Sequence, residues 1–149
     1  MYKHLIGSAS EKVENTVEPG AIRRFALAIG DDNPLYTDTD AGETSAFKRN
    51  IAPVTFPVTL NYGTIGGLNL PSKGLIHGEQ TFHYERPLYA GEIIWCSSRL
   101  SNCKERTGSG GSMVILTIER MGETEKGEVI FTMTQSVIMT EAARKGITV

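Results

Sequence analysis

Apolar positions recur along this chain with two different periods, and the change of period divides it into two parts. From Pro19 to Ile29, the residues Ile22, Phe25, Ala26 and Ile29 return at helical spacing. Pro19 suits the first helical position, Glu18 suits the positive end of the helix dipole, and Gly30 suits the stop. The pattern therefore predicts a helix of about three turns ending at a glycine. Ahead of it, residues 11–17 alternate weakly and read as a short strand or an irregular lead-in. After Tyr36, the run Thr37-Asp38-Thr39-Asp40-Ala41-Gly42 is rich in side chains that bond their own backbone, which favours turns and caps. A short helical turn is expected through Thr44 to Phe47. The stretch Val58 to Gly66 fits neither period cleanly, because Val58, Leu60, Tyr62 and Ile65 compete between readings; Pro57 would open a buried helix there.

The second half alternates with period two between glycine-rich breaks, the pattern of an antiparallel sheet. Residues 74–86 form one strand region, with Phe82 and Tyr84 on one face and His83 and Glu85 on the other. Pro87-Leu88-Tyr89-Ala90-Gly91 ends it. Further strands are expected from Glu92 to about Glu105, from Met113 to Arg120, and from Glu128 to Thr140. The links at 107–112 and 121–127 suit hairpins, so the four strands read as a meander. Residues from Arg144 on read as a loose tail.

With 149 residues, 40% of them apolar, the chain is long enough for one core, and 1–149 is expected to form one domain. Fifteen Lys and Arg against seventeen Asp and Glu, with no basic run, argue against a nucleic-acid or membrane-surface partner. No apolar run has signal-peptide or membrane-spanning length, which points to the cytoplasm. Cys96 and Cys103 share one strand region without a second pair, so they read as ordinary buried thiols. His77 and His83 share a face if their strand is regular, but no carboxylate or Cys completes a metal site at usable spacing. No cofactor is implied.

The most informative stretch joins the two parts. In Gly30-Asp31-Asp32-Asn33-Pro34-Leu35-Tyr36, two acidic residues follow a helix stop and an Asn-Pro pair constrains the backbone. This loop resembles the active loop Gly-Asp-x-Asn-Pro-Leu/Ile-His of the MaoC-like (R)-specific enoyl-thioester hydratases and 3-hydroxyacyl-thioester dehydratases. Ala52-Pro53-Val54-Thr55-Phe56, His77-Gly78-Glu79-Gln80, and Arg86-Pro87-Leu88 with Gly91-Glu92 extend the resemblance over about Val17 to Thr140. It implies an α+β hot-dog fold, an antiparallel β-sheet wrapped around a central α-helix, and it tips residues 57–66 to that helix. It is most similar to the N-terminal, non-catalytic half-domain or subunit type.

Hydration or dehydration at the β-carbon of an acyl thioester needs a base, a group that handles the hydroxyl or water, and donors for the thioester oxygen. By resemblance Asp31 holds the carboxylate position and Asn33 helps hold the loop, but Tyr36 stands where the family places its catalytic histidine. A histidine with a pKa of about 6.5 is available as a base near neutrality, whereas a tyrosine at about 10 is ionised roughly once in a thousand. The expected role is therefore a subunit that lacks the catalytic histidine and supplies acyl-chain binding to a partner. Pro53, Val54, Thr55, Phe56, Leu60 and Tyr62 are its candidate wall residues. The expected partners are an acyl-CoA or acyl carrier protein thioester, and a second hot-dog chain in a homodimer or heterodimer. The alternatives are a self-sufficient hydratase or thioesterase using a non-standard residue, and a non-enzymatic acyl-thioester binding module. Asp31 also has a plain reading as a loop cap, and Tyr36 as a packed aromatic.

Overall fold

The computed structural model describes residues 1–109 and 111–145. Five antiparallel strands, β1 (Val13–Thr16), β2 (Leu75–Tyr84), β3 (Ile93–Gly108), β4 (Gly111–Glu123) and β5 (Val129–Thr140), form one sheet in the order β1-β3-β4-β5-β2. The helices are α1 (Pro19–Ala28), α2 (Pro34–Thr37), α3 (Thr39–Thr44) and α4 (Glu141–Lys145). The architecture is a hot-dog fold of the α+β class.

Strands β3, β4 and β5 form the expected meander, but β2 does not join it in sequence order. It pairs with β5, at the edge far from β3. The link after Tyr84 therefore carries the chain across the sheet instead of closing a hairpin. A bulge between His77 and Glu79 adds a second departure: His77 lies opposite Val137 while His83 lies opposite Thr132, so the two histidines face opposite ways.

The helix expected over 57–66 is absent. Phe56–Thr59 makes a single 3-10 turn, and Leu60 is already extended at ψ 156°. The backbone beyond is claimed by other partners. Asn15 accepts from the Asn61 N–H and donates to its carbonyl, the Tyr62 carbonyl accepts from Ser10, and Gly63 adopts φ +69°. Those bonds tie the segment to the β1 region and leave none of the i to i+4 ladder a helix needs. What packs on this end of the sheet is α1, through buried Ile22 and Ala26. Near the acidic loop, the helical turn expected at 44–47 lies upstream as α3, because Asp38 caps it by accepting from the Ala41 N–H. Arg144 and Lys145, expected in a loose tail, close α4; residues 146–149 of that tail, and Gly110 in the first hairpin, lie outside the described residues.

Alternation places most of the buried apolar residues of the strands on one face, where they gather into two clusters. One unites Ile22, Phe56, Tyr62, Leu88, Phe131 and Met133; the other unites Leu100, Cys103, Leu116, Val137 and Met139 with Ile65. Cys96 and Cys103 are free and buried, as the sequence suggests. Burial, with a smaller push from Glu123, raises the Cys96 thiol to about 12. At pH 8 its thiolate is then about one part in ten thousand. Iodoacetamide at pH 8 is therefore expected to leave Cys96 unmodified in the native protein and to label it in urea. Equal labelling in both states would contradict its buried placement.

Candidate functional site

The acidic loop is built locally. Gly30 takes φ +71°, a conformation open to glycine, and turns the chain out of α1. The Asp31 N–H then donates to the Ala26 carbonyl at 2.9 Å, while Asp31 Oδ1 accepts from the Asn33 N–H at 3.2 Å. Asn33 caps α2 by accepting from the Leu35 N–H at 3.0 Å. Pro34 at the first helical position completes the turn that presents Tyr36.

A second set of bonds fastens this loop to the sheet. Asn50 donates its side-chain amide to the carbonyls of Leu35 (2.9 Å) and Asp38 (2.8 Å), and the Ile51 N–H donates to Leu35 as well. The Ala52 N–H donates to Leu88, and the Ala90 N–H donates to Asn50. Arg86 then locks the segment after β2, donating to both Glu92 oxygens at 2.9 and 3.1 Å while its guanidinium lies over the Tyr89 ring. The hydrogen bonds to Glu92 hold the Arg86 charge above its ordinary range.

These elements enclose a cavity of about 370 Å³ lined by Tyr36, Ile51, Ala52, Val54, Tyr84 and Arg86 among others. Two larger depressions lie elsewhere, about 570 Å³ on the outer face around Arg99, Glu119 and Thr132, and about 530 Å³ between 69–74 and α4. Neither touches the acidic loop, so the smaller cavity is the one that joins space to chemistry.

Within it, the Tyr36 hydroxyl is held above its usual pKa, first by burial and then by the Asp31 charge. Near neutrality it is an uncharged phenol, able to donate or accept a hydrogen bond but unable to serve as a base. Tyr84 is likewise pushed upward by burial, and its hydroxyl donates to the Val54 carbonyl at 2.7 Å. Of the candidate wall residues, Val54 is exposed at the cavity and Thr55 is exposed beside it, whereas Pro53, Phe56 and Tyr62 are buried and Leu60 packs against the core cluster. The sequence reading did not name Ile51, Ala52, Tyr84, Glu85, Arg86 or Pro87 as site residues. Two signals pointed to them: Tyr84 shares the Phe82 face, and Arg86-Pro87 belongs to the segment that carries the resemblance. Among the described residues no group of three His, Cys, Asp or Glu side chains is placed to hold a metal, and no helix is long and apolar enough to cross a membrane.

A single antiparallel sheet with an acidic loop held at the end of a helix makes this a protein of the hot-dog fold. Its sequence places it further: the chain belongs to the family described as FAS1-like, dehydratase domain region, whose model matches residues 4–133. It is 34% identical over 131 residues to the UPF0336 protein of Thermobifida fusca (strain YX), covering 84% of each chain. Its fold is similar to that of a C-terminally truncated HadBC (3R-hydroxyacyl-ACP dehydratase) complex from Mycobacterium tuberculosis, with a TM-score of 0.74, 17% identity, and coverage of 93% of this chain and 99% of that one. It is also similar to a MaoC-like dehydratase from Rhodospirillum rubrum, with a TM-score of 0.69, 20% identity, and coverage of 91% and 92%.

Proposed function

We propose that this chain is the non-catalytic subunit of an (R)-3-hydroxyacyl-thioester dehydratase or enoyl-thioester hydratase, binding the acyl chain for a partner subunit that carries a complete Asp/His pair. The observation that carries this reading is the pairing in one cavity of an apolar wall with Tyr36, a neutral phenol beside Asp31. Ile51, Ala52, Val54 and Tyr84 offer an acyl group a surface, while the position that would take or give the proton holds a group in the wrong state for it. Asp31 keeps its carboxylate on the loop, but one of its oxygens is spent on the turn. The similarity to one chain of a two-subunit dehydratase complex supports assembly with a partner of the same fold. Edge strand β2, ten residues long, supplies a surface on which a second sheet can add.

The substrate class in this reading is an acyl thioester of CoA or acyl carrier protein, handled in the cytoplasm as part of fatty acid metabolism. The test is turnover of crotonyl-CoA by the chain alone and after co-purification from its native host. Hydration is expected only in the co-purified assembly, with loss of activity on Asp→Asn substitution in the partner and not on Asp31→Asn. An enzyme-like rate from the chain alone, abolished by Asp31→Asn or Tyr36→Phe, would overturn the proposal in favour of a self-sufficient hydratase.

A further inference from the structure

The two apolar clusters on the inner face of the sheet do not meet without interruption. Between them a row of polar side chains crosses the four long strands. Ser98 on β3 lies opposite Arg120 on β4, Arg120 lies opposite Met133 on β5, and Gln135, two residues along the same face, lies opposite Gln80 on β2. His77 closes the row at the β2 edge, with its Nε2 2.8 Å from the Gln135 side-chain nitrogen.

Arg120 is the exceptional member. Its guanidinium stacks 5.0 Å above the Tyr62 ring, and among the described residues it forms no ion pair. Its Nε is buried without a hydrogen-bond partner, and so is Gln135 Oε1. Burial holds the Arg120 charge below its ordinary range, with Tyr62 the one titratable group that opposes this. Arg120 is half-buried, and the hydration its Nε gives up is returned by no hydrogen bond, so packing alone does not account for an arginine here; methionine would cover Tyr62 without that loss. A half-turn of the Gln135 amide would let Oε1 accept from His77 Nε2–H and point its NH2 group into the row. The row would then present a cation and an amide donor, both seeking an acceptor.

We propose that Arg120 and Gln135 form a subsite for a carboxylate carried on the acyl chain itself. This inference rests on the acyl-binding reading above and narrows its substrate class. Through Met133, Arg120 is level with Phe82, two residues from Tyr84 on the same face of β2, so it lies about 7 Å along the strands and about 10 Å across them from the Tyr84 wall of the cavity beside Tyr36. A medium-length chain whose thioester sits at that cavity brings its far end to Arg120. A carboxylate there pairs the cation and takes the orphaned Nε–H.

The test compares two non-hydrolysable probes, the dodecyl thioether of CoA and its ω-carboxylate counterpart, by calorimetry on the purified chain. The wild-type protein is expected to bind the carboxylate probe about 30-fold more tightly. Arg120→Met is expected to abolish that preference while keeping affinity for the plain chain. Arg120→Lys, which keeps the charge but loses the fork, should retain a reduced preference, and it carries the test if the methionine variant does not fold. Equal binding of both probes by the wild type, or a preference that survives Arg120→Met, would overturn the subsite and leave the acyl-binding reading standing. Binding of neither probe would remove that reading, and the subsite with it.

Discussion

Tyr36→His is expected to raise the rate at which the purified chain hydrates crotonyl-CoA by about 100-fold or more. Position 36 lines the cavity and feels the Asp31 charge, so an imidazole there would sit beside a carboxylate in a partly enclosed space. General-base help of this kind contributes about 10²–10⁴ to a rate. The sign of the pH dependence follows from the neighbour. A negative Asp31 favours the imidazolium and moves its pKa up from about 6.5. The neutral base is then populated only above that raised value, and the gained rate should climb with pH through neutrality. Adding Asp31→Asn should remove the gain. A folded Tyr36→His protein with no more activity than wild type would show that the deficiency is not confined to this position. The bond from the Asn33 N–H to Asp31 would then be the first place to look, because it turns one carboxylate oxygen toward the loop.

The parts of the fold that local chemistry determines are legible in the sequence. Helix α1 ends where Gly30 takes positive φ, and the run after Tyr36 does hold a cap, Asp38, although the helix it starts lies upstream of the turn expected at 44–47. The long strands are legible because a half-buried sheet imposes period two on side chains one residue at a time. Non-local choices were not legible. Nothing in residues 85–92 says that β2 will leave β3 and pair with β5, since both pairings bury the same face. One bulge near Gly78 is enough to put His77 and His83 on opposite sides, which parity cannot foresee. Residues 57–66 were ambiguous for a physical reason. Asn61 and Gly63 favour local and side-chain bonds, and the partners that decide the matter, Ser10 and Asn15, lie far away in sequence.

The candidate site divides in the same way. Asp31, Asn33 and Tyr36 lie on one short loop and could be named from it. The opposite wall comes from the end of β2 and the segment after it, delivered by the Tyr84 bond to Val54 and the Arg86 pair with Glu92. Those contacts span 30 residues and six residues of chain, respectively, and only the shorter one is visible as a motif. The polar row around Arg120 is further from legibility still, because its members are neighbours only once the register of four strands is set.

Gly122→Ala and Phe131→Ala are each expected to destabilise the protein substantially, and their combination to do less harm than the sum. A Cβ on Gly122 would stand 2.2 Å from Phe131 Cε1 and 2.7 Å from Cζ, well inside van der Waals contact. The ring has little freedom to yield. It is fully buried, with Tyr62 edge-on at 6.5 Å and Tyr84 tilted at 5.8 Å. Overpacking of this kind costs about 1–3 kcal/mol, and removing the ring costs about 3–5 kcal/mol. In a chain that already lacks the ring, the added methyl meets no obstacle and fills part of the space left behind. Urea unfolding of the four proteins in the cycle should therefore give a coupling of about 2 kcal/mol in the favourable direction. Additive losses would mean that the Phe131 ring does not cover Gly122. Because Tyr84 leans on the same ring and also lines the cavity beside Tyr36, both single variants should weaken acyl-thioester binding along with stability. Phe131→Ala should do so more, since it leaves the Tyr84 ring without the partner that fixes its tilt.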